Sequence, residues 1–230
     1  MYAVEGRGAD IEAAQNAVDV IRELVASTGR PVVWVWRPRR QVAFGPRDAR
    51  HEGYEAAAAA ARQRGFTPVE RSVGGHPVAH TGRTLAFTRV MPVEDVRRGL
   101  TDRYNNTLVT IQDALDELGV PTERGEPPDS FCPGDHSLMA EGKIVGLAQR
   151  VASGVAAVSG VVVVADAAAV SAVLVPVYDA LDLPFDPSSV GSIAEAGGPA
   201  DGETVAAAIE RALASDGAFE RIRLEDLLDG

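Results

Sequence analysis

Apolar residues recur at helical spacing through Ile11, Ala14, Val18, Ile21 and Leu24, and the run closes at Gly29-Arg30-Pro31, which predicts a helix over 11–24. The β-branched and aromatic stretch PVVWVW at 31–36 predicts a buried strand, and Gln41 to Phe44 a second, shorter one. An Ala-rich helix over 55–64 ends at Gly65 and leads into a strand at 67–70. A Gly-rich turn then precedes a strand over 84–90, and a long helix is predicted from about Val93 to Leu118. The stretch 122–134 is polar and rich in Pro and Gly, as a loop is. Beyond it, 137–140, 143–150 and 160–164 read as three strands separated by tight turns. A helix over 167–181 should kink or break at Pro176. Four Gly and three Pro make 184–202 the best linker, before a terminal helix over 203–214 capped by Asp201. No internal repeat is visible. Intermixed helices and strands, with neighbouring strands close enough to form hairpins, predict one mixed α/β (α+β) domain over 1–230. Its central sheet should be largely antiparallel and flanked by helices.

Composition narrows the picture. With 46% hydrophobic and 24% charged residues, the chain has the make-up of an ordered globular protein. Its most apolar stretch, Val151 to Leu174, is full of Ala, Ser and Gly and is interrupted by Asp166. No apolar run approaches the roughly 20 residues of a membrane-spanning helix. The first residues show neither a basic n-region nor an apolar h-region, and the single Cys excludes an internal disulfide framework. A cytoplasmic protein without a membrane partner is expected. A net charge of −11 argues against general nucleic-acid binding, which needs clustered Lys and Arg.

Of the 22 basic residues, 21 are Arg and one, Lys143, is Lys. Arg replaces Lys at little cost on most surfaces, but not where a compact ammonium is required. A lone lysine therefore marks a candidate site, although chance survival explains it equally well on composition alone.

Two segments carry candidate chemistry. The first runs from Arg71 through Val73, Gly74, Gly75 and His76 to His80. Paired glycines between strands let backbone N–H groups approach a ligand, and Arg71 offers a bidentate contact to phosphate or carboxylate. A hairpin with a glycine bulge and a satisfied histidine would look the same. The second runs from Cys132 through His136 to Gly142, Lys143, Gly146, Ala148 and Gln149. Gly142 is placed to turn a hairpin, and Lys143 opens a strand where an ammonium can stabilise charge on a carbonyl or phosphoryl oxygen. A solvated turn lysine fits this spacing as well. No metal-ligand cluster is expected.

Together the segments resemble the catalytic domain of lipoate-protein ligases and single-domain octanoyltransferases. Arg71, Gly74, Gly75, Val78 and His80 fit the family pattern R-x-[ST]-G-G-[GR]-A-V-x-H. Gly142, Lys143, Ile144, Gly146, Ala148 and Gln149 fit G-[KR]-K-[IL]-x-G-x-A-Q with one residue missing after Gly142. Val73 stands where the family has Ser or Thr, and His76-Pro77 where it has Gly or Arg and then Ala. The resemblance implies a biotin/lipoate ligase-like fold and Lys143 as a catalytic residue. It also implies a substrate-binding set of Arg71, Val73, Gly74, Gly75, His76, His80, Gly142, Gly146, Ala148 and Gln149. The expected domain lacks the accessory domain of many lipoate ligases.

Two chemistries follow from the resemblance. A transferase moves octanoyl from acyl-carrier protein through an enzyme thioester, for which Cys132 is the only thiol and His136 a candidate base. A buried apolar role for Cys132 is the alternative. A ligase joins lipoate or octanoate to AMP and needs ATP and Mg; otherwise no tightly bound cofactor is expected. In both, Lys143 would hold the acyl carbonyl, and a lysine of a lipoyl-domain or glycine-cleavage carrier protein accepts the group. A non-catalytic lipoyl- or acyl-binding accessory protein is a third reading.

Overall fold

In the computed structural model, residues 1–214 and 219–228 are described, and they form two sheets with helices on both sides of the larger one. The chain opens with β1 (Tyr2–Glu5), α1 (Ile11–Thr28), β2 (Val32–Trp36) and β3 (Gln41–Phe44). It continues with α2 (Tyr54–Gln63), β4 (Thr67–Glu70), β5 (Val78–His80), β6 (Thr84–Pro92) and α3 (Leu100–Glu117). The second half contributes β7 (Glu123–Arg124), β8 (Ser137–Met139), β9 (Lys143–Ala152), β10 (Val155–Val163) and α4 (Ala167–Ala180). It closes with α5 (Gly202–Ala214), β11 (Glu220–Arg223) and α6 (Leu224–Leu228).

The large sheet runs β11-β1-β2-β6-β10-β9-β8-β7, antiparallel except for the parallel pairs β1–β11 and β1–β2. The small sheet runs β4-β3-β5. Strand alternation along β10 sorts the core. Val162 and Val164 join Ile111, Leu115, Val205 and Ile209 of α3 and α5 on one face. On the other face Val155 and Ala157 pack under Ile21 and Val25 of α1, while Val161 and Val163 pack under the small sheet and α4. Between α1 and the small sheet that face is left partly uncovered, and this gap holds the candidate site.

The mixed fold and largely antiparallel sheet agree with expectation, and several elements differ. β6 runs on to Pro92, and the following turn, with Val93 N–H bonded to Gly154 O at 2.8 Å, delays α3 to Leu100. The helix over Ala167–Ala180 does not break at Pro176. The carbonyl that Pro176 leaves without its helical donor, Ala172 O, accepts instead from Arg64 Nε at 3.0 Å. The segment 184–202, expected as a linker, is packed structure. Gly191 N–H bonds Lys143 O at 3.1 Å, Ile193 N–H bonds Val163 O at 3.0 Å, and Ile193 is fully buried.

Candidate active site

A cavity of about 380 Å³ opens in the gap between α1 and the small sheet. Its floor is one row across four paired strands, Trp36, Ala86, Val161 and Gly146, in register as Trp36↔Ala86, Ala86↔Val161 and Val161↔Gly146. Two of these four residues, Ala86 and Gly146, have almost no side chain, which is why the floor is recessed. Val78 and Phe131 add apolar wall, while Gln15, Asn16 and Asp19 of α1, Glu70 at the end of β4 and Arg71 after it give a polar rim. An apolar recess with a polar mouth fits a ligand with a hydrocarbon body and one reactive end.

Cys132 lies in that wall, and each of its polar atoms is held. Its N–H donates to the Tyr178 hydroxyl at 2.7 Å, its carbonyl accepts from Lys143 Nζ at 2.9 Å, and its sulfur lies 3.6 Å from Arg71 Nη2. The backbone there is left-handed, with φ +44°, a conformation costing a residue with a Cβ about 1–3 kcal/mol. Gly75 comes close from the other side. A Cβ on it would stand 2.7 Å from the sulfur and 3.0 Å from Arg71 Nη2, and its own φ is +99°, so glycine is required twice over. Arg71 Nη2 also donates to His76 O at 2.8 Å, which ties the glycine turn to the cysteine loop.

Lys143 is 1% exposed and lines the cavity from its inner end. Its ammonium donates to Glu126 Oε2 at 2.6 Å, to Phe131 O at 2.9 Å and to Cys132 O. Glu126 in turn accepts from Gly134 N–H and Ser137 Oγ, both at 2.8 Å. Burial alone would raise the Glu126 carboxyl; the Lys143 ammonium, with Ser137 and Gly134, outweighs it and holds the group below its ordinary range. An ammonium carries three hydrogens, and three acceptors already take them. In this conformation Lys143 supports the cysteine loop from behind, and it reaches an acyl carbonyl only by releasing one partner.

Arg71, Val73, His80, Cys132, Lys143, Gly146 and Ala148 all line this one cavity, so both sequence segments contribute to it. Buried His80 bonds Thr84 Oγ1 at 3.0 Å; burial, with Arg71 nearby, pulls its imidazole down to about 3 and keeps it neutral. Other expected residues serve the scaffold. Gln149 accepts from Arg103 Nε at 2.6 Å and donates to Leu100 O at 3.1 Å, fastening β9 to α3 rather than lining the cavity. A Cβ on Gly142 would stand 2.6 Å from Gly191 N, so that glycine admits a neighbouring backbone. A Cβ on Gly74 would meet nothing within 4 Å among the described residues, and His76 turns Nδ1 to buried Asp48 at 3.1 Å. The expected pairing of Cys132 with His136 is not formed. The His136 ring stacks on Tyr104 at 3.7 Å between centroids, and the sulfur's charged neighbour is Arg71. Glu126 and Tyr178 were not anticipated, because their partners lie 17 and 46 residues away in sequence.

Comparison with known proteins gives concordant results. A lipoyl-[GcvH]:protein N-lipoyltransferase of Listeria monocytogenes is 31% identical over 125 residues, 53% of this chain and 44% of that protein. An octanoyl-[GcvH]:protein N-octanoyltransferase of Lysinibacillus sphaericus is 25% identical over 134 residues, 57% of this chain and 48% of that one. These matches span about half the length of each relative. Lipoate-protein ligase A bound with ATP superposes with a TM-score of 0.79 at 20% identity, covering 99% of this chain and 92% of that one. Protein Ta0514 of T. acidophilum, solved with bound lipoic acid, gives 0.73 at 18% identity over 99% and 92%. At such identities the structures speak for the fold alone. Residues 14–214 match the model of the lipoyl protein ligase A/B catalytic domain, and the chain belongs to that family.

Proposed function

We propose that this protein is an acyltransferase of protein lipoylation, moving an octanoyl or lipoyl group through a thioester on Cys132. The acceptor is a lysine of a lipoyl-domain or glycine-cleavage carrier protein. The observation that carries this reading is the Cys132 sulfur itself, set in the wall of an apolar cavity beside the Arg71 guanidinium by a left-handed backbone. A thiol placed so beside a cation is arranged as a nucleophile rather than as packing. The names of the Listeria and Lysinibacillus relatives, both N-acyltransferases, support the same chemistry.

In the first step the sulfur attacks the carbonyl of a donor thioester on acyl-carrier protein or another acylated carrier. A new C–S bond forms and the donor's thiol leaves with the proton. In the second step the acceptor's amine attacks the enzyme thioester, a C–N bond forms, and the Cys132 sulfur departs and recovers a proton. Arg71 stabilises negative charge at sulfur and at the adjacent carbonyl oxygen, and Lys143 keeps the Cys132 carbonyl, and so the sulfur, in place.

Incubation with octanoyl-carrier protein should add one octanoyl mass to the enzyme, removable by hydroxylamine, and Cys132→Ala should abolish transfer. A Cys132→Ala variant that modifies its carrier at the wild-type rate would refute the thioester. If that residual activity required MgATP and lipoate, the ligase route would replace it.

A further inference from the structure

We propose that Tyr178 is a positioning residue for Cys132: its hydroxyl, bridging the Cys132 amide to the Pro77 carbonyl, fixes the backbone conformation that presents the sulfur to the acyl group. This rests on the reading of Cys132 as the nucleophile and adds a residue from α4, an element that neither sequence segment touches.

The geometry is specific. The hydroxyl accepts from Cys132 N–H at 2.7 Å and donates to Pro77 O at 3.0 Å, joining the cysteine loop to the end of the glycine turn. Pro77 has no N–H of its own, so its carbonyl is the polar group the turn offers there. The ring is 1% exposed and packs at 5.0 Å between centroids on Phe185, which leaves the hydroxyl no freedom to swing away. Burial, reinforced by Cys132, raises the phenol well above its ordinary value, so it keeps its proton and the direction of both bonds is fixed.

A left-handed cysteine needs restraint from both of its peptide groups. Lys143 grips the carbonyl side and Tyr178 the amide side. Released on the amide side, the residue can relax toward ordinary φ values, and that rotation carries the sulfur away from Arg71 and Gly75. A misplacement on the scale of 1 Å costs about a hundredfold in rate when the reacting atoms must meet in one geometry.

Because Cys132 is the only cysteine, ¹⁵N-cysteine labelling of the full chain gives one amide resonance, and its hydrogen exchange reads the bond to Tyr178 directly. Acyl uptake from octanoyl-carrier protein, followed by intact mass, reads the chemical step. Tyr178→Phe keeps the ring and removes the hydroxyl. It should speed exchange of the Cys132 amide and slow acyl uptake by at least about tenfold, with the KM for the donor within about twofold. Val170→Ala loosens the same core cluster two turns away along α4 and leaves the Tyr178 hydroxyl and its packing in place, so it should leave both readings near wild type. Unchanged acyl uptake in Tyr178→Phe, or equal losses in the two variants, overturns the positioning role. A wild-type enzyme that takes up no octanoyl overturns the thioester reading instead, and the amide exchange would then mark Tyr178 as a structural pin only.

Discussion

Replacing Glu126 by Ala removes the carboxylate from a lysine that is 1% exposed, and also the acceptor for Ser137 Oγ and Gly134 N–H. Breaking a buried pair by deleting one partner costs about 3–5 kcal/mol, because the other charge is left without compensation. Glu126 keeps 17% of its side chain exposed, so water can partly replace it and the lower end, about 3 kcal/mol, applies. For a domain of this size each kcal/mol moves Tm by about 2–4 °C, which gives a fall of roughly 6–12 °C by calorimetry at neutral pH. The double variant Glu126→Gln, Lys143→Met replaces the pair with uncharged groups of similar size and should recover part of that loss, the Phe131 and Cys132 carbonyls being left without their donor. Acyl transfer should not recover with it, since Cys132 O still lacks its donor. The pair also has a pH signature. With the Glu126 carboxyl held low in the fold, its contribution is present above the ordinary carboxylate range and is lost as pH falls through the depressed value. A Glu126→Ala protein melting within about 2 °C of wild type would show that the pair does not anchor this loop.

Lys143→Arg keeps the charge, but a planar guanidinium cannot point at three acceptors gathered around a compact ammonium, so acyl transfer should drop at least about a hundredfold in steady-state assays. Near-normal turnover would refute the role of that geometry. Ala86→Leu adds three carbons to the cavity floor and should cut the preference for octanoyl over butyryl about tenfold or more in a competition assay. Unchanged chain-length preference would place the acyl group elsewhere. His80, neutral in the fold down to about pH 3 but titrating near 6.5 when unfolded, makes stability fall as pH drops through that window. The slope approaches about 1.4 kcal/mol per pH unit, and His80→Gln should flatten it in denaturant titrations across pH.

Local pattern made much of the fold legible. Ile11, Val18 and Ile21 marked α1 from its start, and QVAF marked β3 to the residue, because side-chain periodicity is set within a few positions. β1 and β11 were not legible. Each pairs in parallel with a strand from a distant part of the chain, Tyr2 opposite Glu220, and ERIR carries no apolar alternation. The 184–202 segment misled because its Gly and Pro content describes backbone freedom, whereas Gly191 and Ile193 are held by the ends of β9 and β10. Lys143 stood out by its rarity, yet its partners did not. Nothing in the local sequence says that Glu126, inside a Pro/Gly loop, closes on it, or that a tyrosine in an apolar helix holds the cysteine. His136 misled in the opposite sense: four residues from Cys132 along the chain, it is turned away to stack on Tyr104.

Under the proposed acyl transfer, the burial of Lys143 also bears on the protein as a target of its own reaction. A protein that hands activated acyl groups to lysines risks acylating itself wherever it displays an amine. This chain carries one lysine, and its ammonium is enclosed, charged and engaged by three oxygen atoms. Apart from the α-amino group, no primary amine is offered to a passing thioester, and the 21 arginines that supply the remaining positive charge are poor acyl acceptors. Lysine adducts therefore have no exposed site on this chain, and an acyl mark found away from the α-amino group points to the sulfur.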